Sequence, residues 1–207
     1  MIHRYWLQRL GIDGDYVAVP VEPERIDAFL AGFAEHGYIG GNVTVPYKEN
    51  AFRAVTEADP AARALGAVNT LWFEDKRLVG GNTDAFGFLA NLDAASPGWD
   101  RPGEAAIILG AGGAARAVTW ALLQRGFDPI VVINRTADRA QSLARSFTGN
   151  IRVDDWSAID SWLQVAALLV NTTSLGMEHQ PLLTLDLSPM RDEAVVNDLV
   201  YAPLETG

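Results

Sequence analysis

Two hydrophobic patterns divide the chain. Up to residue 95 the apolar positions come in short alternating bursts between helical spacings. Residues 16–21, Tyr-Val-Ala-Val-Pro-Val, read as a strand, and Pro23 opens a helix carried by Ile26, Phe29, Leu30 and Phe33 and stopped at Gly37. Val43 and Val45 alternate against Asn42 and Thr44 until Pro46 cuts the run, which predicts a strand over 40–45. A short helix over 49–57 follows, then strands over 67–74 and 77–80 flanking Asp75-Lys76 as a hairpin that lacks the favoured Asn-Gly turn. Phe86, Phe88, Leu89 and Leu92 give a helix over 84–95.

Residues 96–103, Ser-Pro-Gly-Trp-Asp-Arg-Pro-Gly, break all periodicity and mark a domain boundary between 1–95 and 96–207. Beyond it the runs at 105–109, 130–134, 151–153, 167–171 and 194–200 read as strands. The first is apolar throughout, as a strand buried on both faces requires. Helices over 113–125 and 136–146 fall between them. Strands alternating with helices predict an α/β fold with a doubly wound parallel sheet.

Gly110-Ala111-Gly112-Gly113-Ala114-Ala115 lies between the first of these strands and its helix and fits the G-x-G-x-x-G/A fingerprint of a Rossmann-like domain. Gly110 permits the tight turn, Gly112 lets backbone approach a pyrophosphate, and small Ala115 lets helix and strand pack closely. The helix N-terminus then presents free N–H groups to phosphate. The second strand ends in Asn134-Arg135-Thr136, with Arg139 near, where an NAD site would carry Asp or Glu. An amide and a guanidinium suit a 2′-phosphate, so NADP is the expected cofactor. Thr172 and Ser174, at the end of the strand over 167–171, either line a nicotinamide pocket or simply form a turn.

Composition narrows the function classes. With 49% hydrophobic and 20% charged residues, this is an ordinary globular chain of 207 residues. A net charge of −10 argues against a nucleic-acid partner. No cysteine occurs and His3, His36 and His179 are scattered, so thiolate chemistry is excluded and no metal site is expected. The longest apolar runs are too short for a membrane span and the N-terminus has no signal-like apolar stretch, so a cytoplasmic location is the expectation.

Lys48 after the strand break, Asn69 in Gly-Ala-Val-Asn-Thr and Asp84 in Asn-Thr-Asp all sit where strands or turns end. Pattern alone favours a solvated boundary lysine over a catalytic amine, because most lysines are surface charges. The set of motifs is more informative. Asn42–Lys48 (Asn-Val-Thr-Val-Pro-Tyr-Lys), 66–70, 82–84, 110–114, 134–136, 171–174 and Asn-Asp-Leu-Val-Tyr at 197–201 together resemble shikimate dehydrogenase, in order and across nearly the whole chain.

The resemblance implies an N-terminal α/β substrate domain plus the C-terminal nucleotide domain. It implies NADPH-dependent, reversible reduction of 3-dehydroshikimate to shikimate by a monomer or homodimer. It makes Lys48 the proton donor and acceptor and Asp84 its orienting partner. Thr44, Asn69, Asp84 and Tyr201 become substrate ligands, and Gly110, Ala111, Gly112, Gly113, Ala114, Asn134, Arg135, Thr136, Thr172 and Ser174 cofactor ligands. Alternatives that share these motifs are a quinate/shikimate paralogue and a non-catalytic NADP-binding module. The family's Ser-x-Ser-Pro motif and closing helices have no counterpart here, and Ala85 stands where a glycine is frequent. The expectation is therefore a member truncated at both ends, which as an entire polypeptide would bind NADP with weak or no shikimate turnover.

Overall fold

The computed structural model describes residues 2–203. Two compact units are distinguishable, Met1–Ile39 and Gly40–Gly207.

In the first unit, helix α1 spans Ile2–Arg9 and ends where Gly11 turns left-handed at φ +64°. Sequence reasoning did not anticipate α1, which buries none of its residues. The strand expected over 16–21 does not form, because no strand among the described residues offers it a ladder. Arg4 holds this extended segment instead, its Nε donating to the Tyr16 carbonyl (2.9 Å) and to Asp15 Oδ1 (3.0 Å), while His3 stacks on the Tyr16 ring. Pro23 opens a 3₁₀ turn, Pro23–Arg25, that runs into helix α2, Ile26–Ala31. The helix stops at Gly32, earlier than the spacing suggests, and turns carry the chain on to Gly37.

The second unit contains two sheets. The first has the order β1-β3-β4-β2, from Gly40–Asn42 (β1), Glu57–Ala58 (β2), Thr70–Glu74 (β3) and Arg77–Gly81 (β4). Strand β1 sits on the glycines rather than on Val43 and Val45. A Cβ on Gly40 would lie 2.7 Å from the Leu71 carbonyl, so only glycine allows this approach, and Val45 is left 76% exposed. The β3–β4 hairpin forms as expected, with Asp75 and Lys76 both at positive φ as a type I′ turn demands.

Helix α3, Lys48–Ala54, begins at the lysine itself. Helix α4, Pro60–Leu65, was missed although its signals are all present. Asp59 caps it by accepting from Ala62 N (2.6 Å), Pro60 starts it, and left-handed Gly66 ends it. Helix α5, Asp84–Ala95, buries Ala85, Phe88 and Leu92.

The second sheet is parallel, with the order β7-β6-β5-β8-β9, from Ala105–Leu109 (β5), Ile130–Ile133 (β6), Ile151–Asp154 (β7), Ala166–Asn171 (β8) and Val195–Asp198 (β9). Counted within this sheet the order is 3-2-1-4-5, that of the dinucleotide-binding fold. Helices α6 (Gly113–Gln124), α7 (Ala137–Arg145) and α8 (Ile159–Leu163) fall between the strands; α8, only five residues long, was not foreseen.

Every residue of β5 is buried, and its side chains alternate between two cores. Ala106 and Ile108 join α4, α5 and α6, whereas Ala105, Ile107 and Leu109 join α8. Between α5 and β5, Trp99 is buried. Arg125 pairs there with Asp93 (2.6 Å) and Asp100 (2.7 Å), so the aperiodic stretch is pinned rather than loose. Among the described residues no helix is long and apolar enough to cross a membrane.

Candidate active site

The turn after β1 delivers Lys48. Tyr47 N donates to the Thr44 carbonyl (3.0 Å), and α3 starts one residue later. The Lys48 carbonyl accepts from Val68 N (2.9 Å), which ties the start of α3 to the segment carrying Asn69. Asp84 is the first residue of α5, where unpaired N–H groups and the helix dipole favour a carboxylate.

These elements bring together three side chains that are far apart in sequence. Lys48 Nζ donates to Asp84 Oδ2 at 2.6 Å, and Asn69 Nδ2 donates to Asp84 Oδ1 at 2.7 Å. Asn69 Oδ1 is fixed in turn by Thr70 Oγ1 (2.8 Å), Thr83 N (3.1 Å) and Thr83 Oγ1 (3.2 Å). The two threonine hydroxyls are part of the site that sequence reasoning missed; nothing in their spacing marks them.

The Lys48 and Asp84 side chains are 25% and 40% exposed. A pair this open adds only ~0–1 kcal/mol to stability, so stability does not account for it. The ammonium has three N–H donors and spends one on Asp84, so it can still donate to a ligand oxygen.

At the glycine loop, Gly110 adopts φ +108°, and a Cβ there would lie 2.7 Å from Thr172 Oγ1. The Thr172 hydroxyl is held against the Leu109 carbonyl (2.6 Å), so the loop after β8 packs against the loop after β5. Gly112 precedes α6 without a side-chain cap, and a Cβ on Gly112 or Gly113 would meet nothing within 4 Å. Open space beside Gly112 and Gly113 thus adjoins the uncapped start of α6, a cradle that fits a dinucleotide pyrophosphate. Ala114 is exposed, whereas Ala115 is fully buried where helix meets sheet.

At the end of β6, Asn134 Nδ2 donates to the Thr136 carbonyl (2.7 Å) and shapes the turn into α7. Arg135, Thr136 and Arg139 are exposed there, and neither arginine has an ion pair among the described residues. Unpaired guanidiniums on a chain of net charge −10 suit a phosphate.

At the end of β8, buried Asn171 donates to Asp198 Oδ1 (3.0 Å) and accepts from Thr173 N and Oγ1. Asp198 thus steadies the turn that carries Thr172 and Ser174, a role its sequence position does not betray. Ser174 is exposed and Thr172 half-buried. Thr44 and Tyr201 are not joined to the Lys48–Asp84–Asn69 group by any hydrogen bond among the described residues. Both are exposed, Tyr201 by 86%.

Comparison with known proteins gives the family and the fold. The family described as shikimate dehydrogenase substrate binding domain matches residues 1–71, and that described as shikimate / quinate 5-dehydrogenase matches residues 98–191. The shikimate dehydrogenase (NADP(+)) of Azorhizobium caulinodans is 56% identical over 206 residues, covering 100% of this chain and 73% of its own length. The Thermus thermophilus shikimate 5-dehydrogenase solved with NADP(H) and shikimate superposes with a TM-score of 0.82 at 37% identity, over 98% of this chain and 73% of that one. Quinate dehydrogenase from Corynebacterium glutamicum, solved with NAD, gives 0.86 at 27% identity, over 99% and 76%.

Proposed function

The chain belongs to the shikimate dehydrogenase family, and from that premise we propose that it interconverts 3-dehydroshikimate and shikimate with NADP(H), using Lys48 as the acid and base. The observation that carries the residue assignment is the contact of Lys48 and Asn69 with the two oxygens of one carboxylate, Asp84. Residues 1–95 serve the substrate and 96–207 the nucleotide in this reading. The enzyme works in the cytoplasm as a monomer or homodimer, with no nucleic-acid or membrane partner.

Reduction of a ketone leaves negative charge on its oxygen, so a proton donor must stand there. Lys48 as an ammonium supplies that proton, and as an amine removes the hydroxyl proton in the reverse direction. Asp84 Oδ2 aims the amine, and Asn69 keeps the carboxylate from rotating away. Asp84 can also accept from a substrate hydroxyl, with Thr44, Asn69 and Tyr201 as the further substrate ligands. NADP(H), when bound, supplies or takes up the hydride. Gly110 to Ala114 and the start of α6 would hold its pyrophosphate, Asn134, Arg135 and Thr136 its 2′-phosphate, and Thr172 and Ser174 its nicotinamide end.

The test is Lys48→Ala, assayed for shikimate-dependent NADP reduction and titrated with NADPH. Turnover is expected to fall by about 10²–10⁴-fold, the usual contribution of a positioned acid–base group, with NADPH affinity unchanged. The assignment is falsified if the variant keeps wild-type turnover.

A further inference from the structure

We propose that Asn82 is the positioning residue of the Lys48–Asp84–Asn69 group, locking the two segments that meet there into one geometry. This rests on the functional reading above and extends it to a residue that touches neither substrate nor cofactor in that reading.

The side chain of Asn82 joins both segments at once. Its Nδ2 donates to the Ala67 carbonyl (3.0 Å), two residues before Asn69, and its Oδ1 accepts from Asp84 N (3.0 Å), two residues on. Its own N–H donates to Asp59 Oδ2 (3.2 Å), the carboxylate that caps α4. Around it, Asn69 N donates to the Gly81 carbonyl (3.0 Å), and Thr83 N to Asn69 Oδ1. Gly81 leaves no room to rearrange, since a Cβ there would lie 2.5 Å from Asp59 Oδ2.

Asn82 is only 2% exposed, so water has no access to replace a lost contact. Its Oδ1–Asp84 N bond is an Asx turn that sets the first turn of α5, and with it the direction of the Asp84 carboxylate. The substitutions separate the two halves of this role. Alanine removes both contacts, whereas serine keeps an oxygen able to accept from the N–H two residues on, but no donor for Ala67.

The experiment compares wild type, Asn82→Ala, Asn82→Ser and Lys48→Ala for kcat, KM for shikimate, NADPH dissociation constant and thermal midpoint. Asn82→Ala is expected to lose about 100-fold in kcat, the scale of a misplaced catalytic group, with KM and NADPH affinity within about threefold of wild type. Asn82→Ser is expected to recover about tenfold of that loss.

Equal kcat in the two Asn82 variants would overturn the proposal, as would NADPH affinity falling in step with kcat, which marks a general structural role. Should Asn82→Ala not fold, Asn82→Ser decides alone. A kcat within about tenfold of wild type supports positioning through Asp84 N, and a loss near 100-fold with NADPH binding intact refutes it. Lys48→Ala separates the two levels of inference. If it retains turnover the acid–base reading fails, whereas if it is inactive and both Asn82 variants match wild type, only the positioning role fails.

Discussion

Lys48 is one of two lysines in the chain; the other, Lys76, sits in the β3–β4 turn. The fourteen arginines carry the rest of the positive charge. Arginine holds its proton too tightly to exchange it near neutral pH, whereas lysine can give one up. The residue that faces Asp84 is thus the type that can do proton chemistry. Because the pair is partly open to solvent, Lys48→Ala is expected to change unfolding stability by no more than ~1 kcal/mol while removing turnover. Urea denaturation of the variant reads the first quantity. A large stability loss would mean that the lysine is mainly structural. Lys48, Asn69 and Asp84 were legible as a set only because several motifs occur together. Their contact was legible only through that resemblance, since 36 residues separate Lys48 from Asp84 and only the approach of the starts of α3 and α5 joins them.

The elements most readable from sequence were those of the parallel sheet. Strands β5, β6 and β8 are buried on both faces, so each writes a continuous apolar run. Helices α1, α4 and α8 escaped because they have eight, six and five residues, too few turns for a 3.6-residue period to register. For α4 the cap signals Asp59, Pro60 and Gly66 would have sufficed. The segment 16–21 misled in the opposite way, being a short apolar run that pairs with no strand among the described residues.

At this scale two glycines of one loop make opposite predictions. Gly110→Ala forces a side chain into φ +108° and against Thr172, and is expected to destabilise by about 1–3 kcal/mol. Gly112→Ala meets no protein atom and has an ordinary φ of −94°. It is expected to fold normally and to weaken NADPH binding, because its methyl group occupies the cradle. Denaturation midpoints and NADPH titration of both variants check this. Undiminished NADPH binding by Gly112→Ala would move the pyrophosphate elsewhere.

For the molecule as a whole, the aperiodic stretch after α5 is a clamp, which its loss of periodicity did not announce. Trp99 is buried there, its indole N–H donates to Asp93 Oδ1 (2.9 Å), and Arg125 bridges Asp93 and Asp100. The Trp99 hydrogen bond first, then the Arg125 guanidinium, hold the Asp93 carboxyl below its ordinary value of 3.8 despite an opposing pull from desolvation. A carboxyl lowered on folding stabilises the fold above its unfolded value and ceases to do so as pH falls through its folded value. Asp93→Asn is therefore expected to lower the thermal midpoint at neutral pH and to flatten its decline below about pH 3.8. Parallel midpoint curves for variant and wild type would show that Asp93 is not coupled to folding.

Family, fold and cofactor converge on one reaction, and the relative from Azorhizobium caulinodans is 56% identical to this chain over 206 residues. The most direct test is the initial rate of oxidation of shikimate and of quinate, each with NADP and with NAD. The fastest rate is expected for shikimate with NADP, because exposed Arg135, after β6, and Arg139, in α7, offer a 2′-phosphate charge-assisted bonds that NAD cannot use, a difference of about tenfold or more. A faster rate with NAD, or with quinate, would contradict the account.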